Sequence, residues 1–235
     1  MPAHKKQFKQ VPKRFHPKGL NIIFEDHYIV VVEKKSGLLT VSNEKVRDNT
    51  AYFLLNEYVK KGNQRSRNRV FIVHRLDRDT SGLLIFAKTE QAKQHLQNDW
   101  KHFEKKYYAL VHGQLPEKEG LITSYFAENS VHRMYSVTNP DKGKLAETRY
   151  KVIRESKNYN LLLIDLLTGK KNQIRVHFSE KGHPVVGDGI YGIQENDKNI
   201  KRLALHSCFL KISHPFTKGE MIFESPLPDY FKSLR

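Results

Sequence analysis

Apolar residues fall in short runs along most of this chain, each closed by charged residues or turn formers. Asn21 to Glu33 holds Ile22-Ile23-Phe24, the polar Glu25-Asp26-His27 and then Ile29 to Val32, which predicts a short strand pair. Lys34 to Gly37 turns the chain into Leu38 to Val41. Asn49 or Thr50 can cap a helix running to about Lys61, with Tyr52, Phe53, Leu54, Leu55 and Tyr58 as its apolar stripe. Phe71 to Val73 and Leu83 to Ala87 are short, partly β-branched and aromatic, and predict two buried strands. Thr89 is an N-cap for a helix to about Phe103, with Glu90 in its first turn. Glu104 to Gly113 predicts a strand, residues 114 to 145 only short strands and loops. Ala146 to Arg154 alternates through Thr148, Tyr150 and Val152, and Asn160 to Leu167 is the apolar run of a buried strand. Thr168 to Gly182 predicts a helix stopped by its glycine. No internal repeat is visible.

Composition narrows the partners. The 235 residues suffice for one large domain or two small ones, and 38% hydrophobic content is low for a globular protein without reaching that of disorder. Lys and Arg outnumber Asp and Glu by 41 to 25, a net +16 that points to a polyanion, either nucleic acid or an anionic membrane surface. Residues 1 to 19 carry Lys5, Lys6, Lys9, Lys13, Arg14 and Lys18 with three prolines and no acid. That composition predicts an unstructured basic tail, suited to nucleic acid or simply to solubility. A single cysteine, Cys208, excludes internal disulfides and cysteine-rich zinc sites. No apolar run nears the roughly 18 residues of a membrane span, and the N-terminus lacks the apolar centre of a signal peptide. A soluble cytoplasmic protein is expected.

Candidate chemistry concentrates between the runs at 71–73 and 83–87. That segment holds one His, two Arg, two Asp, a Thr, a Ser and a Gly, on a loop between rigid elements. A carboxylate beside Arg75 and Arg78 is favoured in its ionised form, which makes Asp77 or Asp79 a candidate nucleophile, base or metal ligand. A salt-bridged surface turn would use the same residues. A calcium loop needs Glu where Lys88 stands, and that reading fails. A magnesium-dependent phosphatase with an aspartate nucleophile would use D-x-D together with Gly187-Asp188-Gly189. The loop from Lys60 to Arg69, with five basic residues and no acid, brings positive charge towards Asp77.

The string from His74 to Leu84, H-R-L-D-R-D-T-S-G-L-L, closely resembles the signature of the RluA-like pseudouridine synthases, with Asp77 at the catalytic aspartate. Three later segments extend the resemblance. Lys105, Tyr107, Ala109, Val111 and Gly113 match the form K-x-Y-x-A-x-V-x-G, which implies that Tyr107 lies against the target base. Thr168, Gly169, Gln173, Ile174, Arg175 and His177 match T-G-R-T-H-Q-I-R-x-H, and Arg175 corresponds to the basic residue that pairs with the aspartate. Gly182 to Gly192 resembles G-H-P-I-x-G-D-x-x-Y-G, which accounts for Gly187-Asp188-Gly189 without a metal. Leu203 to His206 and His214-Pro215 fit the C-terminal pattern. Two departures stand out: Lys35 occupies the proline place of K-P-x-G, and Lys170-Lys171-Asn172 replaces R-T-H. The second bears on hydrogen bonding behind the site or on substrate choice. The resemblance spans roughly residues 21 to 228, and a form without a separate small RNA-binding domain before it is expected.

The resemblance implies an α+β fold, a mixed and largely antiparallel β-sheet flanked by helices, with residues 1–19 as a tail and 20–235 as the catalytic domain. It implies breakage of the uracil N1 to ribose C1′ bond, turning of the base, and joining of C5 to C1′. The base must leave its helix. Asp77 then either attacks C1′ or removes the C2′ proton. Arg175 keeps it ionised, Tyr107 and Ile174 wall in the freed base, and Tyr107 is the candidate for taking the C5 proton. Arg75, two residues before Asp77 and on the same face if the segment is a strand, would fill the place of the flipped nucleotide. Leu76 and Lys105 join the substrate-binding set, and Asp79 is expected to cap the loop. The expected partner is ribosomal or transfer RNA, with no metal, no organic cofactor and no membrane, and the protein acting as a monomer. The alternatives are a non-catalytic RNA-binding or ribosome-assembly protein, motivated by residues 170–172, and the phosphatase.

Overall fold

The structure, a computed structural model, describes residues 16–42, 48–192, 197, 200 and 202–233. The basic stretch expected at 1–19 therefore lies outside the described residues as far as residue 15. Among the described residues, eleven strands form one sheet: β1 (Leu20–Glu25), β2 (Ile29–Lys34), β3 (Phe71–Ile72), β4 (Ser81–Ala87), β5 (Glu104–His112), β6 (Glu119–Glu128), β7 (Met134–Val137), β8 (Lys144–Glu155), β9 (Tyr159–Leu166), β10 (Leu205–Ser213) and β11 (Glu220–Glu224). Four α-helices of the described residues accompany it: α1 (Ala51–Lys60), α2 (Glu90–Asp99), α3 (Gln173–Glu180) and α4 (Asp229–Ser233). The strand order is β1-β2-β4-β10-β5-β9-β8-β6-β7, with β3 on β4 and β11 on β10. All pairings are antiparallel except β4 with β10, where His206 faces Ser81 and Ser207 faces Gly82. This is the α+β architecture expected.

Local chemistry explains most boundaries. Thr50 caps α1 by accepting the Phe53 N–H at 3.1 Å, and Thr89 caps α2 by accepting that of Ala92 at 3.1 Å. The apolar runs of β2 and β4 are continuous because both faces of the sheet are covered there. Val30, Val32, Leu84 and Phe86 pack in the cluster with Leu55 and Tyr58 of α1 and Phe178 of α3. Ile29, Val31, Leu83, Ile85 and Ala87 pack on the other face with Ala92 and Leu96 of α2. Each of the larger of these side chains stabilises the fold by about 1.5–3 kcal/mol through removal from water.

Three expectations are corrected. Residues 119–128 form a ten-residue strand rather than short pieces, because β6 lies between β8 and β7 and exposes one face to solvent. α3 begins at Gln173, not Thr168. Asn172 takes a left-handed φ of 55°, and the Gln173 side chain accepts from Thr168 Oγ1 and the Lys170 N–H, folding 168–172 into a loop. Residues 73–77 belong to no strand, so alternation does not put Arg75 and Asp77 on one face.

Gly82 lets β4 meet β10. Its φ is +108°, and a Cβ there would meet the Ser207 carbonyl oxygen at 2.1 Å. The parallel contact of β4 with β10 thus requires glycine at this position.

Candidate active site

The segment between β3 and β4 is an irregular loop held at three points. Thr40 Oγ1 donates to the Leu76 carbonyl at 2.7 Å and accepts the Leu76 N–H at 3.2 Å, fixing the backbone just before Asp77. Lys34 is fully buried, and its ammonium donates to the carbonyls of Lys35 (3.1 Å), Leu38 (2.8 Å) and Arg78 (2.9 Å). The Gly37 N–H also reaches the Arg78 carbonyl, at 2.9 Å. Burial pushes the Lys34 amine down to about 8, against the pull of Asp79 and Asp77 in the other direction. The loop that carries Asp77 and Asp79 is thus tied down by a buried amine.

The Asp77 carboxylate is about one-third exposed, and its Oδ2 accepts from Arg175 Nη1 at 3.2 Å. Arg175 is itself buried, with its other nitrogens on Asp188: Nε to Oδ2 at 2.7 Å and Nη2 to Oδ1 at 2.8 Å. Asp188 also accepts the N–H groups of Ile190 and Tyr191, both at 2.9 Å. Burial alone would raise the Asp188 carboxyl, but the Arg175 guanidinium and these N–H groups hold it below the usual carboxylate range. Burial likewise opposes the charge on Arg175, and the two carboxylates overcome it, so the guanidinium is held charged. Such a bidentate pair fixes the plane of the guanidinium and aims Nη1 outward at Asp77.

Tyr107 comes from β5 and is 8% exposed. It packs in one cluster with Leu76 and Ile174. Burial drives its hydroxyl pKa up, a hydrogen bond to Ser207 works against that, and the charge of Asp77 adds to the rise. Leu76, Asp77, Tyr107, Ile174 and Arg175 are thus brought to one place, from a loop, a strand and a helix far apart in sequence.

Arg75 and Lys105 behave differently. Arg75 is exposed on the loop. Lys105 is buried, and its ammonium donates to the carbonyls of Trp100 (2.8 Å) and Phe103, with the Trp100 ring 5.6 Å away. That amine is committed to the turn after α2, so Lys105 supports the strand carrying Tyr107 rather than facing a substrate. The Asp79 carboxylate accepts no hydrogen bond among the described residues, so the cap expected of it is not made, and it acts on Lys34 through its charge. The Asp188 oxygens are occupied by Arg175 and two backbone donors, which removes the acid that a magnesium phosphatase would need from Gly187-Asp188-Gly189.

Sequence reasoning missed Lys34 and Thr40 and gave Asp188 a role only in the phosphatase reading. Lys34 could have been suspected, since it stands in phase with the inward Val30 and Val32.

The family model described as RNA pseudouridylate synthase matches residues 27–180 of this chain. A ribosomal large subunit pseudouridine synthase D of Nitrosomonas europaea is 37% identical over 227 residues, spanning 92% of this chain and 64% of that protein. An uncharacterized RNA pseudouridine synthase of Mycoplasma genitalium is 34% identical over 220 residues, spanning 91% of this chain and 68% of its own length. This chain accordingly corresponds to about two thirds of these relatives. Among solved structures, human RNA pseudouridylate synthase domain containing 4 has the same fold, with a TM-score of 0.75 at 22% identity and 90% of each chain covered. With the motif residues around Asp77, Tyr107 and Arg175 gathered at one loop of that fold, the chain belongs to the RluA-like RNA pseudouridylate synthase family.

Proposed function

We propose that this protein is an RNA pseudouridine synthase that converts specific uridines of structured RNA to pseudouridine. The observation that carries the reading is the half-open Asp77 carboxylate, clamped by the Asp188-anchored Arg175 and bordered by Tyr107, Leu76 and Ile174. The target nucleotide swings out of its helix, because inside a duplex its glycosidic bond is out of reach. Asp77, paired with the guanidinium, then acts on the ribose, by attack on C1′ or by removal of the C2′ proton. The released uracil turns within the apolar wall of Leu76, Ile174 and the Tyr107 ring, and C5 bonds to C1′. Tyr107 is a neutral phenol, so taking the C5 proton requires it to pass its own proton on in the same step. Asp77, released from the sugar by then, is the acceptor whose field Tyr107 already feels. Arg75, exposed at the mouth, fills the gap left in the RNA stack, as a planar cation can.

The relatives named for the large ribosomal subunit favour ribosomal RNA as substrate, with transfer RNA as the second candidate. Residues 20–235 serve as the catalytic domain, working as a monomer in the cytoplasm without metal or organic cofactor. No described helix is long and apolar enough to cross a membrane.

The test is release of tritium from RNA carrying [5-³H]uridine. Wild-type protein is expected to release it from ribosomal RNA transcripts. Asp77→Asn should lower the rate by roughly 10²- to 10⁴-fold, the usual worth of such a group, while still binding the RNA. Turnover by the Asp77→Asn variant at the wild-type rate would sink the assignment.

A further inference from the structure

Asn172 links Arg175 to the β6–β7 arm, and its amide is used at both ends. Its φ of 55° lies where side-chain-bearing residues are rare and Asn is several-fold enriched. Oδ1 accepts from Arg175 Nη1 at 2.9 Å, and Nδ2 donates to the Tyr191 hydroxyl at 3.2 Å. That hydroxyl also accepts the Met134 N–H of β7 at 3.0 Å. The Tyr191 ring lies between two guanidiniums, Arg133 at 4.9 Å and Arg175 at 5.3 Å from its centroid. A path of direct contacts therefore runs from β7 through Tyr191, Asn172 and Arg175 to Asp77.

Arg175 Nη1 carries two hydrogens and has two acceptors, Asp77 and Asn172. Asp188 holds the other side of the guanidinium, and Asn172 takes the Nη1 hydrogen that Asp77 does not. We propose that Asn172 is a positioning residue for the Asp77–Arg175 pair, its amide tying the aim of Nη1 to the β6–β7 arm through Tyr191. The inference rests on the reading of Asp77 as the group that acts on ribose.

The amide suits this place because it is neutral and does not titrate. The charged and titratable groups facing it are Arg175 on α3, Asp77 on the loop before β4, Asp188 and Tyr191 after α3, and Arg133 on the arm. Lys171, next in sequence, is turned away onto Glu128 and the His132 carbonyl. A carboxylate at 172 would compete with Asp77 for Nη1. An imidazole would supply acceptor and donor while neutral, but once protonated it would face two guanidiniums with nothing to accept from them.

Two measurements test this. In tritium release, Asn172→Ala should lower kcat roughly tenfold, the equivalent of one hydrogen bond to a charged group, with KM for RNA within about twofold. Asn172→Asp should lower it at least as far. Asn172→His should restore kcat above pH 7.5, and the ratio of its rate to wild type should fall through about pH 6.5, the ordinary imidazole pKa. The second measurement needs no RNA. Exchange of the Arg175 guanidinium protons, followed by ¹⁵N-arginine NMR, should be slow in wild type and faster in Asn172→Ala and Tyr191→Phe. Wild-type kcat in Asn172→Ala, a rate ratio that ignores pH in Asn172→His, or unchanged proton exchange would each overturn the proposal. If wild-type protein released no tritium, the functional reading would fall, and the NMR result would still decide the positioning role.

Discussion

Arg175 shows how one residue can be both buried and useful. Its guanidinium is almost out of water, which is tolerable only because Asp188, itself shielded from solvent, meets it with both oxygens. Asp188→Asn would keep the shape and remove the charge, leaving Arg175 with the partly exposed Asp77 as its anion among the described residues. Loss of one member of a buried pair costs about 3–5 kcal/mol, and the remaining Asp77 contact puts the expectation at the lower end. A shift of the urea midpoint matching about 3 kcal/mol is expected, together with a fall in kcat as Nη1 loses its aim. A destabilisation under about 1 kcal/mol would mean that Arg175 finds other acceptors. At this scale much was legible in the chain. Asp77, Tyr107, Ile174 and Arg175 carry motif positions, and the fold brings them together. Lys34 and Thr40 were not legible in the same way. Their partners are backbone carbonyls up to 44 residues away, and no spacing of side chains encodes a carbonyl.

The elements repeat that division. Strands and helices with strong periodicity or a threonine cap lie where the pattern put them, as α1, α2, β2, β4 and β9 do. The parallel pairing of β4 with β10 was not readable, since it joins residues 125 apart and depends on Gly82 letting two backbones meet. That pairing carries a buried polar chain: Ser81 Oγ to His206 Nδ1 at 2.8 Å, then His206 Nε2 to Ser225 Oγ at 2.9 Å. Burial pushes His206 down to about 4, and the nearby Glu33 only partly offsets it. His177 on α3 is likewise pushed to about 4 by burial. His74, packed on Trp100, is pushed to about 3 by burial and the Lys105 ammonium. Each stays neutral in the fold yet takes a proton near pH 6.5 when unfolded. Unfolded chain therefore binds more protons than folded chain between about 6.5 and 4, and stability falls as pH drops through that window. The slope should reach about 1.4 kcal/mol per pH unit for each histidine. Urea midpoints taken from pH 7.5 to 4.5 should be flat at first and then decline. His206→Asn should flatten that decline by one proton; an unchanged slope would mean that His206 is protonated in the fold.

Over the whole molecule, the charge is excessive and also unevenly placed. Many of the 25 acids sit in ion pairs, such as Glu25 with Lys88 and Glu128 with Lys171. Lys61, Arg65, Arg67 and Arg69 are exposed between α1 and β3, and Arg75 and Arg78 are exposed on the Asp77 loop that follows. Arg69 lies over the Phe71 ring at 4.7 Å, which fixes its stem without neutralising its charge. The stretch from Lys61 to Arg78 thus presents cations along one continuous piece of chain that runs past Asp77. An RNA backbone laid along it would displace condensed counterions, one for each phosphate met. RNA affinity should then fall steeply with salt, by roughly 10³- to 10⁵-fold from 50 to 200 mM if six to ten phosphates are engaged. Replacing Arg65, Arg67 and Arg69 together by Gln should reduce the slope of log affinity against log salt by about two to three, since each contact contributes roughly 0.7–0.9. These three side chains are exposed, so kcat at saturating RNA should hold while KM rises. A slope equal to wild type would assign the phosphate contacts to another face, and a lost kcat with an unchanged slope would tie the loop to the chemistry instead of to the path by which RNA arrives.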